Sequence, residues 1–331
     1  MSRSFPCLMR VSYIKLYIVS MLCDVKEFQD ARVLITGGSG FLGTHLIKKL
    51  QILGTREIVS VHQGKKAHDI PSGVIDCVCD MSKPESIDRV RAMGNVDYIF
   101  NLAGLSDQRM LHPHPQDLWN ANVISLIHLS GAIDWSKVKG AVHMGTTAEY
   151  GNQEVPFQEN QRPLPTNAYG WSKAAATQYA VMMVQGGYAK WCVARQFSGY
   201  GPGQTTGFIV DLTRALKRGE TFMVSSSHVT RDPIFVSDTI EGLIRLAYCS
   251  RASGEIMNLC PGKEISIGEI AEMVHSIAGV GRIELAQGEP RKGDFLRSWG
   301  STEKIEQFLG WKPHISLEEG LRITVPTILD I

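Results

Sequence analysis

The chain has no surplus of either charge: 34 Lys and Arg stand against 33 Asp and Glu in 331 residues, a formal net charge of +1. That balance excludes a polybasic nucleic-acid binder and a long like-charged tail. Nor is there an apolar run long enough to span a bilayer, which takes ~20 residues as a helix. The nearest approach, VSYIKLYIVSML, is shorter and is interrupted by Lys15. With Arg3 and Arg10 it faintly resembles a secretory signal, yet no small-residue cleavage site follows. Residues 1–30 therefore read as a dispensable extension, with Met21 as a candidate start, and the expected location is cytoplasmic with no membrane partner. Paired cysteines are missing too. The seven cysteines are scattered, and only Cys77 and Cys79 lie close, without the second ligand pair that a zinc site needs. Reduced thiols and no metal are expected. Internal repeats and low-complexity linkers are absent, while 44% hydrophobic residues and the length of about two ordinary domains leave room for a sizeable core.

What is present from Ala31 onward is an alternation. RVLITGG reads as a short buried strand running into glycines, FLGTHLIKKLQILG as a helix closed by Gly54, and EIVSVHQ as a second strand. VIDCVCD, a helix from Pro84 to Ala92, and VDYIFNLAG continue the pattern. Helix-like segments at 117–133 and 168–185 bracket the strand AVHMGTT, and AKWCVARQF follows. Strands separated by helices specify parallel βαβ units, so the fold class is α/β with a doubly wound parallel sheet. After Tyr200 the texture changes. GPGQTTG, a helix from Phe208 to Arg218, a polar loop and RDPIFVSD precede short C-terminal helices, the LGWKP turn and a last helix over 317–323. This part reads as a smaller domain interleaved with the first.

TGGSGFLG carries Gly37, Gly40 and Gly43 between the first strand and the first helix. The first allows a tight turn, the second lets a pyrophosphate approach the backbone, and the third lets helix and sheet pack closely, with phosphates facing the helix N-terminus. The order strand, glycines, helix, strand makes this a dinucleotide site. At the end of the second strand an acidic residue would hold the adenosine ribose of NAD; this chain has His62, then Gln63, Gly64, Lys65 and Lys66. A missing carboxylate beside cations favours the 2′-phosphate of NADP, with NAD as the alternative. An ordinary solvated loop would also carry either lysine. Asp80 is a candidate acceptor for the adenine amino group.

A second constellation is Tyr169 and Lys173 in NAYGWSKAA, with Thr146 in HMGTTAEYG. Four residues apart, the tyrosine and lysine share a helix face. An ammonium near a phenol lowers its pKa, so Tyr169 could exchange a proton with a sugar carbonyl or hydroxyl. Thr146, at a strand end, could hydrogen-bond the same oxygen.

Taken in order, TGGSGFLG, FNLAG, Asn122 in NANVISL, GTTAEYG, YGWSK, RQFSGYGPGQ, RDPIFVSD, PRKGD and LGWKP resemble the extended short-chain dehydrogenase/reductase family that modifies nucleotide sugars. The resemblance runs from Ala31 to the C-terminus. It implies a Rossmann domain over 31–198 plus 232–256 and a nucleotide-sugar domain over 199–231 plus 257–331. It implies Tyr169 as general acid/base, Lys173 as the lysine that lowers its pKa and binds ribose, Thr146 as the active-site hydroxyl, and Asn122 as a structural asparagine. Phe41, Leu42, Met81, Leu102, Ala103 and Gly104 would join the glycines around the cofactor. Ser106, Thr147, Glu149 and Ser198 would lie at the sugar. Arg231 and Arg291 match arginines that hold the diphosphate, a role their bidentate donors suit, although either alone would also suit a surface salt bridge. The family commonly forms homodimers by packing the helices through Asn122 and Tyr169 into a four-helix bundle. In this chain both segments show apolar residues at helical spacing, which an ordinary core would also require.

The subclass follows from what the active-site loop lacks. Members that eliminate water carry an acidic pair directly after the hydroxyl, where this chain has Thr147 and Ala148. The loop cysteine of the fucose-synthase type is also missing. GTTAEYG with YGWSK and GPGQ looks closest to GDP-4-keto-6-deoxy-D-mannose reductases, although Ser198 replaces a common asparagine and Lys292 a common proline. The expected activity is therefore NADPH-dependent reduction of the C4 ketone of a nucleotide-linked 4-keto-6-deoxy sugar, Tyr169 donating the proton. The alternative is a C4 epimerase that uses the same residues and retains its cofactor. A noncatalytic NADP-binding protein is a third reading, against which intact Thr146, Tyr169 and Lys173 weigh.

Overall fold

The computed structural model describes residues 26–64, 69–106, 114–290 and 294–330. Lys65, Lys66, Arg291, Lys292 and most of the N-terminal extension lie outside the described residues. β1 (Arg32–Thr36) passes through a glycine turn into α1 (Phe41–Ile52), followed by β2 (Glu57–His62), β3 (Ile75–Val78), α2 (Ser86–Ala92) and β4 (Tyr98–Asn101). Next come α3 (Pro115–Trp119) and α4 (Ser125–Ala132), joined by a π turn over Asn120–Ile124, then β5 (Gly140–Thr146), α5 (Ala168–Gln185) and β6 (Trp191–Gln196). The remainder is β7 (Gly199–Tyr200), α6 (Phe208–Lys217), β8 (Thr221–Val224), β9 (Thr230–Arg231), β10 (Ile234–Phe235), α7 (Val236–Tyr248) and β11 (Ile256–Leu259). It ends with β12 (Ile265–Ser266), α8 (Ile267–Ala278), β13 (Arg282–Leu285), α9 (Glu303–Leu309) and α10 (Leu317–Leu329).

The main sheet has seven strands in the order β11-β6-β5-β4-β1-β2-β3, and every pair in it is parallel. This is the doubly wound Rossmann arrangement that the alternation specifies. The strand order reverses between β1 and β4, which opens a crevice at the carboxyl ends of the strands. Helices cover both faces, so β5 is buried at all seven positions and reads as a nearly continuous apolar run. On one face α1 and α7 pack through Leu46, Ile47, Leu50, Ile240 and Leu243. On the other, α2, α4 and α5 pack through Val90, Leu126, Leu129, Ala176 and Ala180. Among the described residues no helix is long and apolar enough to cross a membrane, and the five cysteines are free.

Beside the sheet sits the smaller C-terminal substructure: α6, α8 and α10 with the two-stranded pairs β7/β10, β9/β12 and β8/β13. Three details differ from the sequence expectation. The single helix expected over 117–133 is interrupted by the π turn. α7, whose Val236, Ile240, Leu243, Ile244 and Ala247 are buried at helical spacing, begins inside the RDPIFVSD motif at Val236 and is a helix the sequence reading does not mark. The last helix continues to Leu329 with Pro326 inside it.

Candidate functional site

At the end of β1 the glycines shape the turn. Gly37 takes φ +73°, a left-handed conformation that favours glycine, and a Cβ there would lie 2.8 Å from the Ala103 nitrogen. A Cβ on Gly43 would fall on the Gly37 carbonyl oxygen and 2.6 Å from the Gly38 Cα. Gly40 is the N-cap of α1 and offers no side-chain hydrogen bond to it, which leaves the N–H groups of the first turn for a ligand. The cradle, which side chains would fill, fits a dinucleotide pyrophosphate.

A cavity of about 460 Å³ extends from this turn. Of the residues expected at the cofactor, Gly37, Gly40, Phe41, Leu42 and Gly43 line it, as do Leu102, Ala103 and Gly104 from the loop after β4. The expected chemical and sugar residues Ser106, Thr146, Thr147, Tyr169, Lys173, Ser198 and Arg231 complete the wall. A second cavity of about 550 Å³ adjoins the first, and Ser198, Gly199, Gln204 and Arg231 line both. Gln204, Phe295 and Ser298 were not singled out in the sequence. Gln204 stood inside the quoted GPGQ motif without a role, and Phe295 and Ser298 reach the site from distant chain.

Local order at the site follows from three devices. Asn122, presented by the π turn, accepts from the Leu105 N–H at 3.0 Å, donates to the Leu105 carbonyl at 3.1 Å and donates to Ser172 Oγ at 2.9 Å. It thereby clamps the 102–106 loop to α5. Asn167 caps α5 through the Gly170 N–H, one turn ahead of Lys173. Thr146 ends β5 and begins a short 3-10 turn, Thr147–Glu149, closed by a capping box in which Glu149 accepts the Thr146 N–H.

Tyr169 is buried, and burial pushes its phenol up to about 12; a hydrogen bond with the Thr146 hydroxyl pulls the other way. Lys173 is buried as well, which pushes it down to about 8, and its ammonium donates to the Met144 carbonyl. In the folded chain the phenol is set by desolvation, the Thr146 hydrogen bond and the Glu149 charge, and the expected lowering by the lysine is not among these influences. Arg231 is held by Asp294 at 2.6 Å and donates to the Thr230 and Phe295 carbonyls. Next to it, Asp232 is pushed up to about 6 by burial, against hydrogen bonds from the Lys263, Gly300 and Gly262 N–H groups.

Four expected residues stand apart from the cavity wall. Glu149 does not line the cavity: its carboxylate is fully buried against Arg195, Nε to Oε2 2.9 Å. Met81 is buried, its carbonyl bonded to His128. Asp80 spends one carboxylate oxygen on Ser82 and Gln63. His62 is buried at the end of β2, with Nε2 2.5 Å from Asp76 Oδ1 and Nδ1 accepting from the Gly64 N–H.

The NAD dependent epimerase/dehydratase family pattern matches residues 33–260. A UDP-glucose 4-epimerase of Mycolicibacterium smegmatis is 27% identical over 312 residues, covering 89% of this chain and 97% of that protein. A GDP-6-deoxy-D-mannose reductase of Pseudomonas aeruginosa is also 27% identical over 312 residues, covering 88% of this chain and 95% of its own length. The solved structure of the Thermus thermophilus UDP-glucose 4-epimerase in complex with NAD is 26% identical with a TM-score of 0.81, covering 90% of this chain and 98% of that one. Equal identity to an epimerase and a reductase means that the likeness does not single out the 6-deoxy-mannose reductases.

Two expectations are corrected. The preference for NADP falls, because solved relatives are complexes with NAD. Where β2 lacks a carboxylate, the structure places one on the neighbouring strand: Asp76 of β3 is bonded to His62. The NADPH-dependent 4-keto reductase falls with it, since 4-epimerases prevail among the similar proteins and the alternative first set beside the reductase fits them better. The polypeptide belongs to the NAD dependent epimerase/dehydratase family of enzymes.

Proposed function

We propose that the protein is an NAD-dependent C4 epimerase of a nucleotide-diphosphate sugar. The observation that carries this reading is a single cavity joining the glycine cradle of α1 to Tyr169, Thr146 and Lys173, and reaching Arg231. When bound, NAD would supply hydride-transfer chemistry at the sugar C4. Tyr169, as its phenolate, would accept the proton of the C4 hydroxyl in the first direction and, as the phenol so formed, give it back in the second. Thr146, hydrogen-bonded to Tyr169, holds the same sugar oxygen, and Lys173 provides a positive charge behind the phenol. Gly37, Gly40, Gly43 and the first turn of α1 would hold the pyrophosphate of the cofactor, and Lys173 would hold its ribose.

The adjoining cavity takes the nucleotide, with Arg231 at the junction for the diphosphate and Ser198 and Gln204 beside it. That cavity draws most of its wall from the 199–231 and 257–331 segments, in keeping with a division into cofactor and substrate parts. Relatives named as 4-epimerases and solved with NAD support the reading. The protein acts as a homodimer through α3, α4 and α5, whose Trp119, Ile127 and Trp171 are 42%, 36% and 57% exposed. Tyr169→Phe tests the chemistry: turnover of the C4 epimers falls about 10²–10⁴-fold, while NAD affinity by calorimetry stays at the wild-type value. Retention of near wild-type turnover would remove Tyr169 from the proposed role.

A further inference from the structure

Directly behind the active-site hydroxyl lies an ion pair that the proton transfer does not use. The side chains of Glu149 and Arg195 are 0% and 1% exposed. Space for them exists because residue 145 is glycine: a Cβ there would lie 2.7 Å from Glu149 Oε1 and 3.1 Å from Arg195 Cγ. Arg195 stacks 4.5 Å over the Tyr150 ring, whose hydroxyl donates to Asn258 Oδ1 at 2.6 Å. Arg195 Nη1 has no hydrogen-bond partner among the described residues. A buried pair with an unsatisfied donor gains little stability over apolar side chains of the same volume. Stability alone therefore does not account for it. The contacts point to the site instead: Glu149 Oε2 holds Arg195, while Glu149 Oε1 accepts the Thr146 N–H at 2.9 Å.

We propose that Glu149, fixed by Arg195, is a positioning residue of the active site, which orients Thr146 toward Tyr169 and sets a negative charge against the Lys173 ammonium. The inference rests on the reading that Tyr169 moves the proton with Lys173 behind it. The surrounding groups leave Glu149 as the source of that negative charge. Lys173 and Tyr169 face it from α5, Arg195 from β6 and Tyr150 from its own turn, with Glu159 beyond Tyr150. His143 on β5 also faces Lys173, but burial holds it far below its ordinary value and hence neutral. The Glu149 charge raises both Lys173 and Tyr169. Removing it lowers both.

The test reads Lys173 directly, by NMR titration of lysine labelled with ¹³C at Cε, the Lys173 signal assigned by its absence in Lys173→Met. Glu149→Gln leaves Arg195 charged and unpaired, so the double variant Glu149→Gln/Arg195→Met, neutral as a pair, is measured beside it. Lys173 is expected to titrate near pH 8 in the wild type and roughly one pH unit lower in the double variant. The pH profile of epimerisation should move the same way. An unshifted Lys173 titration overturns the proposal even if activity falls, because loss of packing alone would leave the titration in place. Failure of the double variant to fold also overturns it, by making the pair a requirement of the fold. A shifted titration in a protein that epimerises no nucleotide sugar leaves this inference standing and removes the epimerase reading.

Discussion

Lys173 is held at a pKa of about 8, against 10.5 for an ordinary lysine, because burial removes water from its ammonium. Between those two values the unfolded chain binds more protons than the folded one, so stability rises with pH across that window. Below pH 8 the desolvation penalty is present in full. Lys173→Met should therefore raise the melting temperature of the cofactor-free protein at pH 7, with the gain shrinking toward pH 10, while turnover is lost. Melting curves at the two pH values check this; an equal or lower melting temperature at pH 7 would show that the ammonium is compensated. At this scale the sequence was informative where the chemistry is local. Tyr169 and Lys173 share a helix face by spacing alone, and Thr146 sits where a strand must end. His62 misled because its partner, Asp76, lies 14 residues away on the adjacent strand. Glu149 misled in the same manner, since Arg195 reaches it only through the pairing of β5 with β6.

The β1–turn–α1 unit depends on backbone meeting backbone. Gly43→Ala would put a methyl group against the Gly37 carbonyl and the Gly38 Cα, contacts that only a displaced α1 can relieve. The expected result is a loss of NAD affinity of at least about tenfold together with about 1–3 kcal/mol of stability, the usual range for overpacking; calorimetry and denaturant unfolding measure the two. Unchanged NAD binding would mean that the turn is not the pyrophosphate cradle. The strand and helix order was legible because the sheet is covered on both faces, giving apolar runs for strands and 3.6-residue periods for helices. The π turn was not, since Asn120–Ile124 has ordinary helical composition and its function, bringing Asn122 to Leu105, involves a loop 17 residues away. α7 was obscured because it begins inside the RDPIFVSD motif, although its apolar spacing is regular.

Across the whole molecule, near-neutral net charge conceals separated features: an anion cradle at α1, Arg231 at the junction of two cavities, and exposed apolar side chains on α3 to α5. Trp171→Glu, placing a carboxylate on that apolar face, should shift the protein from dimer to monomer in analytical ultracentrifugation while its fold, by circular dichroism, is retained. A monomeric wild type, or a variant that remains dimeric, would contradict the proposed interface. The interleaving of the smaller C-terminal part was legible in the change of texture after Tyr200, but the carboxylate beside His62 was not, because Asp76 belongs to the neighbouring strand. The most direct test of the account presents the purified protein with UDP-, GDP-, CDP- and dTDP-linked hexoses differing at C4, in the presence of NAD, and follows product by NMR and the nicotinamide absorbance together. Interconversion of C4 epimers for at least one nucleotide sugar, with no net change in reduced nicotinamide, is the predicted result. Stoichiometric consumption of NADPH on a 4-keto sugar, with no interconversion of epimers, would contradict it.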